Sequence, residues 1–363
     1  MRLVAFRKRL IYIIDERRKL IMIIPFEEEY RKKFYELEEK IFDSSFWSEG
    51  DMQRTFEEKF GEYVKLGARA ISSGGAGLLA ILEYIDVRGK DVIVPANTFW
   101  ADVRAIQLAG GNPVFADCNK EDLCLSLDDL KKKVTDNTKA VIVVHIGGHI
   151  AFQIEEIAEF CKSKGIELVE DCAHVHGGWW NGKTGGHYGI AGAYSFYATK
   201  TMPLGDAGMV VSKNEDLLKW VEKYRNYGKE VINGHVYYKL QDGWNFRINE
   251  FTAALGIVQV ERLPHILEWK RELAKKYDQI FSNRVRFPEG MESGYYKYIV
   301  FDTPLKQETG QVFGPGDLGP VIMGVDADIP NSHWVVNHHK CAPIYLGYEA
   351  ADKPINELKE LLI

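Results

Sequence analysis

From Leu66 to Ser212 the chain alternates short apolar, β-branched runs with stretches of helical periodicity, and that alternation admits few folds. The runs are ARAISS, DVIVPA, NPVFAD, KAVIVVHI, IELVED, AYSFYA and GMVVS. Amphipathic segments at Ala76–Ile85, Ala101–Ala109 and Gln153–Lys164 separate several of them. Apolar strands joined through helices predict an α/β domain: a mostly parallel sheet covered by helices on both faces.

A long helical pattern, ERLPHILEWKRELAKKYDQIF, begins at Glu261 and leads out of the sheet region. The last hundred residues are irregular, rich in Gly and Pro at 308–320, with a terminal helix near Ile355–Leu362. The expected division is a large domain over residues 25–262 and a smaller C-terminal α+β domain over 263–363. Residues 1–24 form an N-terminal extension in which charges interrupt every apolar run. It reads equally as a surface amphipathic segment or as translation from a start upstream of Met22. No run is long enough for a membrane span or shaped like a cleaved signal.

Charge and cysteine usage exclude further classes. The net charge is −6, and no basic stripe alternates with aromatics, which argues against nucleic-acid binding. Five dispersed cysteines with no C-x-x-C pair argue against a disulfide framework or a structural zinc site and fit a cytoplasmic protein. His338-His339 has no third ligand at a recognisable interval, so no metal is expected.

Three local features suggest chemistry. Ser72-Ser73-Gly74-Gly75-Ala76-Gly77 lies between a strand and a helix, where amides at a helix start attract an anion. It is neither G-x-G-x-x-G nor a P-loop, which counts against a dinucleotide-binding protein. Asp171 ends the run IELVED, at the strand end where α/β sheets bind ligands, and His174 follows it. Lys200 follows the run AYSFYA, and an amine held there in a desolvated pocket is a nucleophile for carbonyls. Each alone reads more readily as a tight turn, a capping residue or a solvated strand end.

Their order and spacing resemble the DegT/DnrJ/StrS sugar aminotransferases, of the fold-type-I pyridoxal-phosphate superfamily. The stretches that carry the resemblance are EDCAHVHGG, SFYATKTMPLGDAGMVV and GWNFRINEFTAALGIVQVERL. It implies that Lys200 holds pyridoxal 5'-phosphate as a Schiff base, the internal aldimine, and carries the proton between carbons. It implies that Asp171 keeps the pyridine nitrogen protonated and that His174 lies near the phenolic oxygen. Phe99 matches an aromatic that stacks on the pyridine ring, while Gly75, Ala76 and Ser195 match phosphate-binding positions. Asn245 matches an asparagine that reaches the phosphate in the partner subunit, implying a homodimer with shared sites. Arg247 beside it is a candidate for substrate.

The chain departs from the family pattern at Gly75, usually Thr, and at Ala207, often Gly. The resemblance implies transfer of an amino group, with L-glutamate as the donor, to a nucleotide-linked keto-deoxysugar in polysaccharide biosynthesis. No arginine follows Arg286 to clamp a substrate carboxylate, which favours a sugar acceptor. Trp179, Trp180, Tyr188 and Trp334 are candidates for stacking on base or sugar, or for ordinary packing. A pyridoxal-phosphate dehydratase or lyase and a silent regulatory homologue are the alternatives. Lys200, where the dehydratase branch has histidine, favours transamination.

Overall fold

The structure is a computed structural model, and it describes residues 26–238, 243–344 and 348–363. The N-terminal extension at 1–24 lies outside the described residues. Two helices open the fold, α1 (Glu28–Ser44) and α2 (Asp51–Val64). Each ends on a residue in the left-handed region, Ser45 and Lys65.

The alternating segment follows. It comprises β1 (Gly67–Ile71), α3 (Gly74–Ile85), β2 (Asp91–Pro95), α4 (Trp100–Leu108), β3 (Asn112–Ala116), α5 (Leu127–Lys133) and β4 (Thr138–Val144). After these come α6 (Ile154–Lys164), β5 (Glu167–Asp171), a short β6 (Trp179–Trp180), β7 (Ala191–Ser195) and β8 (Gly208–Ser212). Seven strands form one sheet in the order β1-β8-β7-β5-β4-β2-β3. Only β8 runs against its neighbours; β7, β5, β4, β2 and β3 are parallel. The strand cores are buried, as apolar runs covered on both faces must be. The mostly parallel, helix-flanked sheet expected from the sequence is the one observed.

Gly208 is required by close approach. A Cβ there would lie 2.3 Å from the Ser73 carbonyl carbon and 2.6 Å from the Gly74 nitrogen. β8 therefore passes directly beneath the start of α3, which fixes that helix end over the sheet.

Beyond the sheet lie α7 (Glu215–Tyr224) and an exposed hairpin of β9 (Lys229–Ile232) and β10 (His235–Tyr238), then α8 (Glu250–Ile280). The sequence pattern placed the start of the long helix at Glu261; it starts eleven residues earlier. Asn249 caps it by accepting the Thr252 amide at 2.8 Å. Its first half packs on α1 and α2. Residues Ala253–Val260 are buried on nearly every side, so no polar face marks them as helical in the sequence. Glu250 accepts the amides of Gly50, Met52 and Gln53, capping α2 from almost two hundred residues away.

The remaining elements are β11 (Met291–Glu292), β12 (Tyr298–Phe301), α9 (Gly319–Met323), α10 (Pro330–His338), β13 (His339–Ala342), α11 (Tyr348–Ala351) and α12 (Ile355–Leu362). α8 runs unbroken through Leu263, the expected domain boundary. Past it, Ile266, Trp269, Leu273 and Tyr277 enter a second apolar core with Tyr298, Val300, Leu358 and Leu362.

Candidate active site

The site lies at the carboxyl ends of the parallel strands. Asp171 is the last residue of β5 and is 5% exposed. Consecutive strand residues point to opposite faces, so Glu170 and Asp171 serve different surroundings. Glu170 accepts the amides of Gly186, Tyr188 and Gly189 and pairs with His145 Nε2 at 3.0 Å. It ties down the loop beyond β6. Asp171 Oδ1 accepts the Ala173 amide at 2.8 Å, which fixes the carboxyl at the strand end.

Lys200 lies on the segment that doubles back between β7 and β8. Phe196 donates to Ala207 O, Leu204 donates to Phe196 O, and Lys200 donates its amide to Tyr197 O. The ammonium comes to 4.8 Å from the centre of the Tyr296 ring. Tyr296 stacks in turn on His174, with ring centres 4.2 Å apart and planes at 27°. Its hydroxyl is 3.3 Å from Thr199 Oγ1.

Charge follows from this packing. Burial raises the pKa of Asp171 against the pull of the Ala173 amide, Lys200 and His145. Burial, then Lys200 and Lys297, holds His174 well below its ordinary value, so its imidazole is neutral. Burial opposes ionisation of Tyr296, but Lys200, Lys297 and the Thr199 hydroxyl outweigh it and the phenol titrates lower than usual.

Ser73 is the N-cap of α3 and accepts the Ala76 amide at 3.1 Å. The Ala76 N–H is thus engaged within the cap. The amides of Gly74 and Gly75 find no acceptor among the described residues. A Cβ on Gly75 would meet nothing nearer than Ala101 Cβ at 3.4 Å. Ser195 ends β7 beside this helix start, its Cβ 2.9 Å from where a Cβ on Gly74 would lie. Phe99, the N-cap residue of α4, is 75% exposed.

A sequence profile of the DegT/DnrJ/EryC1/StrS aminotransferase family matches residues 28–306. The chain belongs to this family. By family it is an aminotransferase. It is 35% identical over 232 residues to the GDP-perosamine synthase of Vibrio cholerae, a match covering 63% of this chain and 62% of that protein. It is 31% identical over 281 residues to the dTDP-4-dehydro-2,3,6-trideoxy-D-glucose 4-aminotransferase of Saccharopolyspora spinosa, covering 72% and 73%. The crystal structure of the aminotransferase TlmJ from Streptoalloteichus hindustanus superposes with a TM-score of 0.82 at 26% identity, over 94% of this chain and 97% of that one.

Not every family position lies in the Lys200 cluster. Asn245 is exposed and bridges Asn226. Arg247 donates to Asn226 Oδ1 and lies over the Tyr227 ring at 5.7 Å. Trp179, Trp180, Tyr188 and Trp334 are all partly buried and engaged in packing. Trp179 meets Tyr63 edge-on, Trp180 donates to Glu289 O, Lys183 covers Tyr188, and Trp334 stacks on His338. His338 pairs with Asp302, while His339 engages Val335 O and the Val312 amide, so the adjacent histidines serve different partners. All five cysteines are free and buried.

Two residues escaped the sequence reading. Tyr296 sits in YYKYIV, where nothing local distinguishes it from its tyrosine neighbours. Asp102 is a fully buried carboxyl in the first turn of α4, and burial, then the charge of Asp171, raises its pKa well above the carboxylate range. An acid in the first turn of the helix that begins in TFWADVRAI was the available signal.

Proposed function

We propose that the protein is a pyridoxal-phosphate-dependent aminotransferase that moves an amino group from an amino acid, L-glutamate, to a nucleotide-linked keto-deoxysugar. One observation carries this reading: Lys200, Asp171 and His174 converge at the carboxyl end of the sheet in a chain of an aminotransferase family.

The residues present fit the cofactor. Two unengaged amides at the start of α3, with Ser195 beside them, suit a phosphate. The exposed Phe99 ring offers a stacking face, and the buried Asp171 carboxyl suits a pyridinium. His174 Nδ1 is buried without a partner, a polar atom that a ligand group would satisfy. Pyridoxal phosphate, when bound, supplies an aldehyde that takes up the amino group and a ring that draws electrons from the reacting carbon. Lys200 would hold it and move a proton at Nζ; Asp171 would keep a proton on the ring nitrogen; the stacked Tyr296 and His174 would hold Lys200 in line.

The sugar substrate is supported by relatives named for GDP- and dTDP-linked sugars. A homodimer with shared sites is supported by the exposure of Asn245 and of Phe46, Trp47 and Trp244. No described helix is long and apolar enough to cross a membrane, and five free thiols suit the cytoplasm. The test is incubation with a panel of nucleotide-linked keto sugars and L-glutamate, followed by mass analysis. Amination with release of 2-oxoglutarate is expected, and dehydration without amination would reject the reading.

A further inference from the structure

Tyr295, the residue before the ring that walls Lys200, is held in the left-handed region at φ 43°. Aromatic residues rarely adopt that conformation, and it persists only where surrounding contacts fix it. Here the contacts come from within the turn, from the loop after β4 and from α8. Ser293 Oγ accepts the Tyr295 amide at 3.0 Å. Gly294 and Lys297 donate their amides to Gly148 O and Gly147 O, at 2.8 and 2.9 Å. A Cβ on Gly148 would lie 2.6 Å from the Tyr296 nitrogen and 2.8 Å from the Tyr295 nitrogen, so the turn rests directly on that loop. From α8, Arg271 Nε donates to Ser293 O at 3.2 Å and Lys270 Nζ donates to Tyr295 O at 2.9 Å.

Lys270 is the unusual member of this set. It is 3% exposed, and its Nζ has Tyr295 O as acceptor and no carboxylate partner among the described residues. We propose that Lys270 is a positioning residue: its buried amine holds the Tyr295 carbonyl and so sets the Tyr296 ring against Lys200 and His174. The planar peptide joins Tyr295 O rigidly to the Tyr296 Cα, so holding the oxygen fixes the point from which the ring projects. From there the ring centre stands 4.8 Å from Lys200 Nζ and 4.2 Å from that of His174. Burial, then the charge of Lys297, pushes the pKa of Lys270 down to about 7. Above that pH the nitrogen is a neutral amine, which still donates to the carbonyl without leaving an unpaired ion in the core. The hold on Tyr295 stands on the hydrogen bonds alone; only its effect on the chemistry of Lys200 rests on the proposed function.

Lys270→Met keeps the apolar stem and loses the donor, whereas Lys270→Arg keeps a donor. The first test is hydrogen exchange of the full chain without cofactor, read by mass spectrometry. In Lys270→Met the peptide holding Gly294 and Lys297 should exchange about tenfold faster, the size expected for losing one buried hydrogen bond. Peptides of β4 and β5 should stay within about twofold of the wild type, and Lys270→Arg within about threefold throughout. Unchanged exchange, acceleration spread across the sheet or outright unfolding in Lys270→Met overturns the proposal, as does an Arg variant as fast as the Met one. The second test adds pyridoxal phosphate and follows the visible absorbance of its lysine adduct. Lys270→Met and Tyr296→Leu should each slow its appearance about fivefold, and the double variant should be no slower than either single one. Losses that multiply would show that Lys270 does not act through Tyr296 and overturn the proposal as well. If no adduct forms in the wild type the proposed function fails, while the exchange rates still decide whether Lys270 holds the turn.

Discussion

Lys200 Nζ lies 4.8 Å from the centre of the Tyr296 ring, so a residue from the last third of the chain forms one wall of the lysine's pocket. The ring holds the amine by its negative face and is itself braced by His174. Tyr296→Phe keeps the ring and loses only the contact with Thr199, so kcat/KM should fall about threefold or less. Tyr296→Leu loses the aromatic face and should cost about tenfold or more. Steady-state kinetics of the two variants separate ring from hydroxyl.

Borohydride treatment of the protein with pyridoxal phosphate should fix the cofactor on Lys200, as peptide mapping will read. Lys200→Ala should bind the cofactor reversibly and lose turnover, because no other side chain replaces the amine. Asp171→Asn should retain the fold and lose about a hundredfold or more in kcat, since an amide cannot hold a proton on the ring nitrogen. Adduct on another lysine, or near-normal turnover in Asp171→Asn, would reject these assignments.

Gly75 has room for a side chain: its nearest neighbour would be Ala101 Cβ at 3.4 Å. Gly75→Thr restores the hydroxyl usual in the family beside the unengaged amides of the α3 start. It should tighten pyridoxal-phosphate binding about threefold, with a small gain in melting temperature from reduced unfolded-state freedom. Equilibrium binding followed by absorbance tests this directly.

His176 is buried among Tyr194 and Phe196, and neither ring nitrogen has a partner among the described residues. Burial, with help from Lys200 and Lys270, pushes its pKa down to about 3 from the ordinary 6.5. A depressed folded-state pKa contributes stability that is complete above 6.5 and is lost as pH falls from there toward 3. The full loss is on the order of 5 kcal/mol. His176→Phe keeps the aromatic packing and cannot titrate, so its stability should fall less between about pH 7 and pH 4. Denaturant unfolding at the two pH values measures the difference, and equal losses in both proteins would count against it.

Shared sites predict complementation. Lys200→Ala lacks the amine, and Asn245→Asp sets a negative charge where the partner's phosphate would lie. Mixing the two inactive proteins after dissociation should restore activity, because each heterodimer contains one site with both residues intact. Heterodimers verified by mass spectrometry yet inactive would overturn the shared-site arrangement.

The sheet was legible in the sequence because its strands carry their own signal. Runs such as DVIVPA and KAVIVVHI are apolar throughout, as strands covered on both faces must be, and each appears where expected. Asp171 and Lys200 could be proposed from the sequence because strand ends in such sheets mark ligand positions and the flanking motifs are specific. The first half of α8 was hidden because its buried surroundings erase the polar face that reveals a helix. Tyr296 and Asp102 were hidden for a different reason. What matters about Tyr296 is its contact with Lys200, and what matters about Asp102 is its burial and the charge of Asp171; sequence spacing carries no record of either. The chain's order of residues thus determined the sheet, with Asp171 at a strand end and Lys200 on the segment after β7. Only tertiary packing decided which ring walls the lysine and which further carboxyl is buried, because distance and burial set those surroundings.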